Sequence, residues 1–322
     1  MIYNQPKVVI CKDEKTNKLL ENYINEFISY KGFKIIGVDF EFNRIKNERK
    51  IALCQINFVK ENKMDIFLFY PPNIKKDLFK NLLISDCIKI LHGSESLDLP
   101  YLFDNIIDNN DRDKFCNNLI DTRYLCEYYN SSNNIDGKCR IYDLLLNMKV
   151  ISKTKYEKLM KNDKLMGNIW EINIDVSKQS FINNKKLIKY CVYDVLFLSE
   201  LFNKFPKNEI YHNIIPEIGC VVFILRYENK LDKLFSEISS HNLKKYIENY
   251  NYNDVYIYVF EWIMIDNFMY NLYQINYFRK FIDLLIKNIL YNYLDNSIKL
   301  INFDLKNKKI LNLINKYINE II

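Results

Sequence analysis

Glycine and proline are scarce, six of each among 322 residues. So few turn-formers imply long regular elements and exclude a many-stranded β-sandwich. Histidine is rarer still: His92, His212 and His241 are too few and too dispersed for a zinc cage. No C-x-x-C pair occurs among the eight cysteines. With no secretory signal at the start, they read as reduced thiols of an intracellular protein, in the cytoplasm by default or in the nucleus. A long apolar run is also missing. The most apolar stretch, Val255 to Ile265, is short and carries Glu261. A membrane span needs about 20 mostly uncharged residues, so no membrane partner is expected.

What is present is a folding composition, 49% apolar and 27% charged, which excludes a disordered or collagen-like chain. Heavy use of Asn, Lys, Ile and Tyr reflects an AT-rich coding bias first, of the kind that suits a large DNA virus or a parasite. The net charge is +6, and nearly all of the surplus lies before residue 206. A basic first part favours a polyanionic partner for that part.

Residues 1–34 read as a polar helical lead-in, clearest from Asn17 to Ile28. Lys34 to Phe42 reads as a strand with apolar and acidic residues alternating at its end. Ile51 to Phe58 and Met64 to Tyr70 read as two more, forming an antiparallel meander with the first. Pro71 and Pro72 close that unit ahead of a helix over Lys75 to Leu83. A short apolar strand, Ile88 to Leu91, runs into His92 and Gly93 and then a helix from about Ser96. Helical patterns follow, interrupted by polar stretches at Asn130 to Lys138 and at Ile151 to Lys164. A strong helix spans about Lys185 to Phe202. This order describes an α/β sheet with helices packed on it. Lys204 to Asn208 reads as a linker between domains of residues 1–205 and 206–322, the second mainly α.

Asp39-Phe40-Glu41 carries the first chemistry. Residues two apart in a strand point the same way, so both carboxylates share one face while Val38, Phe40 and Phe42 share the other. Two acids at the end of a buried strand are costly unless a cation lies between them, which a divalent metal would supply; solvated acids at an exposed strand end are the alternative. Asp98 is the second feature. The strand before it turns at Gly93 and enters a helix whose first turn holds Asp98 and Pro100, near the carboxyl edge of the sheet. Glu95 competes for that role, helix capping is the structural alternative, and His92 reads as a satisfied turn histidine. Tyr190-Cys-Val-Tyr-Asp194 is the third. A spacing of four on a helix sets the Tyr190 hydroxyl beside the Asp194 carboxylate, and a bond that only holds the helix to its neighbour fits the same pattern.

In this order the three features resemble the DEDD superfamily of 3′–5′ exonucleases in its tyrosine-bearing subgroup, which includes RNase D, the nuclear-exosome exonuclease and the Werner exonuclease domain. Leu53 to Ile56, Asp121 with Thr122, and Asp143 to Leu146 are secondary matches, and the resemblance covers about residues 30–205. It implies a ribonuclease H-like mixed sheet flanked by helices. It implies that Asp39, Glu41, Asp98 and Asp194 bind two divalent ions, Mg²⁺ or Mn²⁺, and that Tyr190 helps orient the attacking water. The implied reaction shortens RNA or single-stranded DNA from its 3′ end and releases nucleoside 5′-monophosphates. A non-catalytic module that keeps the fold and binds nucleic acid or protein is the alternative. Two departures stand out: His92 and Asp98 are one residue further apart than is usual, and of the family's Trp…Arg-Pro-Leu stretch only Trp170 has a counterpart.

Phe42 and Asn43 read as contacts to the terminal base and sugar. Arg44, Lys46, Arg49 and Lys50, with a second basic stretch that includes Lys153, read as phosphate contacts; a solvated lysine-rich surface is the alternative. In residues 206–322 the aromatic stripe from Tyr256 to Phe281 reads as core rather than as a base-stacking platform, and a surface for a protein partner is equally allowed.

Overall fold

A computed structural model describes residues 6–207 apart from 47, 62, 134, 136 and 167–171, together with 211, 212, 216, 219, 220 and 227. Within them, Lys7–Cys11 (β1), Lys34–Ile45 (β2), Glu48–Lys60 (β3), Lys63–Phe69 (β4), Ile88–Leu91 (β5) and Leu119–Asp121 (β6) form one sheet in the order β1-β4-β3-β2-β5-β6. The β2–β3–β4 meander is antiparallel, β5 and β6 add in parallel beyond β2, and β1 adds in parallel to β4 at the far edge. Every strand but β3 therefore runs the same way. This is a mixed α/β sheet with helices packed on it, the architecture expected from the sequence.

Helices cover both faces. Phe58 and Asn57 are neighbours on β3 and so point to opposite sides. On the Phe58 side lies Glu14–Ser29 (α1), an amphipathic helix capped by Asp13, whose side chain accepts from the Thr16 N–H while Thr16 returns a bond to the Asp13 N–H. Its Tyr23 and Phe27 rings meet Phe58 at 5.1 and 4.9 Å, and Tyr23 also meets Phe67. On the Asn57 side lie Lys185–Leu196 (α9) and Leu198–Phe202 (α10). Between these come Lys76–Leu83 (α2), Asp98–Asn105 (α3), Arg112–Cys116 (α4), Thr122–Ser132 (α5), Ile141–Asn147 (α6), Lys153–Met166 (α7) and Gln179–Ile182 (α8).

Several expectations change. Residues 1–34 are not simply a helical lead-in, because Lys7–Cys11 is a sheet strand; five residues without alternation give no period to read. Ile151 to Lys164 is mostly helix α7, with its exposed lysines on one side and buried Leu159 on the other. The helix expected over Lys185 to Phe202 breaks at Phe197 into α9 and α10. The eight cysteines are not all reduced: Cys126 on α5 and Cys139 form a disulfide, S–S 2.07 Å, and the other six are in none. The loop after α5 turns back and brings their Cα atoms to 5.8 Å, a proximity that a separation of 13 residues does not reveal. Among the described residues no helix is long and apolar enough to cross a membrane. Trp170 and the aromatic stripe from Tyr256 to Phe281 lie outside the described residues.

Candidate metal centre

The site begins with the seating of α9 on the sheet. Asn57 on β3 donates through Nδ2 to the Val195 and Leu196 carbonyls, at 3.3 and 3.2 Å. Its partner across the β2–β3 ladder is Gly37, where a Cβ would stand 3.1 Å from the Val195 carbonyl oxygen and 3.2 Å from Leu198 Cδ1. The missing side chain at Gly37 thus permits the end of α9 to approach the backbone of β2. Asp194, one residue before Val195, is carried with it to the Asp39 and Glu41 side of the sheet. One carboxylate oxygen from each of Asp39, Glu41 and Asp194 lies within 4.8 Å of the others. Phe40 and Phe42, on the other side of β2, pack against Tyr101 with ring centroids 5.5 and 6.0 Å away.

Glu41 is buried and Asp39 and Asp194 are half-buried. Burial pushes the Asp39 carboxyl up to about 7. Burial, then the charges of Asp39, Asp194 and Asp98, hold Glu41 well above the usual carboxylate range. Asp194 is raised by burial and by Asp39, against the lowering effect of the Tyr142 hydrogen bond and of the neighbouring Tyr190 hydroxyl. Among the described residues no ion pair reaches any of the three. Compensation is slight elsewhere too: Gln55 Nε2 donates to Glu41 Oε1 at 3.3 Å, and Asp194 Oδ2 is buried with no hydrogen-bond partner.

Asp98 is the first residue of α3 and is buried. Burial and then Asp39 raise its carboxyl well above the usual range, so its charge reaches the cluster even though the three-acid group does not include it. Its competitor Glu95 accepts from the Tyr124 hydroxyl at 2.8 Å. The turn leading to Asp98 is held by Asp121, which accepts the N–H groups of Gly93, Ser94 and Arg123 and the Ser94 hydroxyl at 2.8–2.9 Å. Gly93 sits at φ 69, the left-handed region where a side chain is strained. His92 makes its ring contact with Thr122 Oγ1 at 2.9 Å, and burial lowers it to about 4, so it stays neutral at pH 7.

Two tyrosines converge on Asp194. Tyr190 lies four residues earlier on α9 and is raised by burial and by the charges of Asp194, Glu41 and Asp39. Tyr142, on α6, donates to Asp194 Oδ1 at 3.1 Å and was not singled out by the sequence. Its only signal was its place beside the Asp143 to Leu146 match. Asp163, on α7, also acts electrostatically on Asp194 and Tyr142.

The four residues expected to contact nucleic acid differ in their surroundings. Phe42 is buried against Tyr101. The Asn43 carboxamide takes both backbone groups of Ile174, accepting its N–H at 2.9 Å and donating to its carbonyl at 2.9 Å. Arg44 and Lys153 are exposed. Lys155, beside Lys153 on the same helix, donates to the Tyr193 hydroxyl at 2.6 Å, and Tyr193 stacks on Phe197.

The donor set suits a hard divalent cation such as Mg²⁺ or Mn²⁺, which takes oxygen ligands. Three converging carboxylates, with no ion pair to any of them among the described residues, and an unpartnered buried oxygen on Asp194 make a place where such an ion would be held.

No protein-family model matches the chain. It is 28% identical over 304 aligned residues to an uncharacterized protein of Acanthamoeba polyphaga mimivirus, a match covering 80% of this chain and 57% of that one. The chain thus spans little more than half of that relative's length. Among solved structures it is similar to Trypanosoma brucei RNase D in complex with GMP, at 14% identity and TM-score 0.46, covering 69% of this chain and 64% of that one. The same enzyme with RNA U12 gives 14% and 0.46 over 69% and 71%. The Nibbler EXO domain of Aedes aegypti gives 10% and 0.39 over 70% and 98%. These TM-scores describe a loose likeness.

Proposed function

We propose that residues 1–205 form a metal-dependent 3′–5′ exonuclease acting on RNA or single-stranded DNA. The observation that carries this reading is the meeting of Asp39, Glu41 and Asp194 within 4.8 Å, from a strand and a helix far apart in sequence. In the reaction, water adds to phosphorus, the P–O3′ bond breaks, and the departing 3′ oxygen takes a proton. The products are a nucleoside 5′-monophosphate and a strand one unit shorter.

Asp39, Glu41 and Asp194 would hold one divalent ion, and Asp98, from its side of the cluster, would serve a second. When bound, such ions lower the pKa of water and stabilise the leaving oxygen. Tyr190 would orient the attacking water through its hydroxyl. Buried Phe40 and Phe42 pack with Tyr101 behind the acid-bearing face of β2. Arg44 and the exposed lysines of α7, Lys153 among them, would hold phosphates of the incoming strand.

The test is a 5′-labelled single strand of RNA and one of DNA, each with Mg²⁺, with Mn²⁺ and with chelator, read for shortening at the 3′ end. The reading expects metal-dependent ladders that Asp39→Ala abolishes in a folded protein. Tight binding without digestion in either metal would leave the non-catalytic module in its place.

A further inference from the structure

Asp194 is held asymmetrically. Its Oδ1 accepts the Tyr142 hydroxyl at 3.1 Å, whereas its Oδ2 is buried and has no partner. A carboxylate on a helix can rotate about χ2, and only one rotation leaves a given oxygen free for a cation. Tyr142 is itself 6% exposed and sits on α6, a helix that contributes no acid to the cluster. Its hydroxyl reaches 52 residues along the chain to this carboxylate.

Resting on the metal-site reading above, we propose that Tyr142 is a positioning residue for the metal centre. Its hydroxyl engages one oxygen of Asp194 and fixes the carboxylate so that the other is presented to the cation. The role differs from that of Tyr190, which shares the helix of Asp194 and is assigned to the attacking water. Outer partners of metal-binding carboxylates act in this manner, and their loss typically weakens metal binding about 10- to 100-fold.

A neighbouring contact supplies the control. Tyr156 on α7 donates to Asp143 Oδ1 on α6 at 2.7 Å, a second tyrosine–aspartate bond involving α6 but away from the acid cluster. Removing either hydroxyl takes one bond from α6; only one of the two bonds touches Asp194.

Mn²⁺ binding is measured by isothermal titration calorimetry on the full chain, without nucleic acid, for the wild type, Tyr142→Phe, Tyr142→His and Tyr156→Phe. Thermal unfolding in chelator checks that each is folded. The proposal expects the Mn²⁺ Kd of Tyr142→Phe to rise on the order of tenfold. Tyr142→His, which keeps a ring donor, should fall between it and the wild type, and Tyr156→Phe should bind as the wild type does. Equal Mn²⁺ affinity in Tyr142→Phe and the wild type overturns the proposal and leaves the metal site standing. Equal weakening in Tyr142→Phe and Tyr156→Phe also overturns it, since loosening of α6 then suffices. No Mn²⁺ binding by the wild type removes the metal site itself, and this role with it.

Discussion

Asp121 Oδ2 accepts both the backbone N–H and the hydroxyl of Ser94, at 2.9 and 2.8 Å, while Oδ1 accepts the N–H groups of Gly93 and Arg123. One carboxylate at the end of β6 thus fixes the turn that delivers Asp98. Asp121→Ala strands these donors, two of them on the buried Ser94. Hydrogen bonds to a charged group contribute about 1.5–3 kcal/mol each, with incomplete additivity. Urea unfolding of Asp121→Ala is expected to show a loss of roughly 3 kcal/mol, with Asp121→Asn losing less.

How much of this was legible in the sequence follows from the range of each contact. The alternation around Asp39 and Glu41 is local to one strand, and Tyr190 and Asp194 to one helix, so both pairs could be read from period alone. The strands β2 to β5 have apolar runs long enough, or turns sharp enough, to declare themselves. β1 and β6 are five and three residues long, too short to show a period, and are recognised as strands by their pairing with β4 and β5. Tyr142 meets Asp194 across 52 residues, and Cys126 meets Cys139 only because a loop turns back, so neither had a sequence period to betray it. Asn43 reads as a contact to the terminal nucleotide, and nothing local in the sequence shows that Ile174 engages its carboxamide.

The raised carboxyls predict a pH profile. Each site acid keeps its proton to higher pH in the folded chain than in the unfolded one. Its stabilising contribution is complete below the unfolded pKa, about 4, and is lost as pH rises through the folded value, about 7 for Asp39. In chelator, the unfolding temperature should therefore fall between about pH 4 and pH 7. Mn²⁺ at 100 times its Kd should restore about 2.7 kcal/mol near pH 7 and little at pH 4, where the acids are protonated. A metal effect equal at both pH values would contradict the picture.

Lys153, Lys161 and Lys164 are exposed on α7. Replacing all three by alanine should weaken binding of a labelled single strand, measured by fluorescence anisotropy in chelator so that no digestion intervenes. If each holds a phosphate, the slope of log K against log salt should flatten by about 2, at roughly 0.7 per single-strand contact. An unchanged slope would make this face simply a solvated one.

The Cys126–Cys139 bond closes a loop at a sequence separation of 13 residues. A loop of that size is worth about 3 kcal/mol in the chain-entropy picture, so dithiothreitol should lower the unfolding midpoint. Thiol titration of the unfolded, unreduced chain should count six groups, rising to eight after reduction. Eight before reduction would show that the pair is not bonded in the isolated protein.

The most direct measurement is anomalous diffraction from crystals grown in Mn²⁺. A strong anomalous peak bounded by carboxylate oxygens of Asp39, Glu41 and Asp194 is the predicted result. Crystals saturated with Mn²⁺ that show no peak there, with the three acids instead bonded to protein groups or to one another through protons, would contradict it.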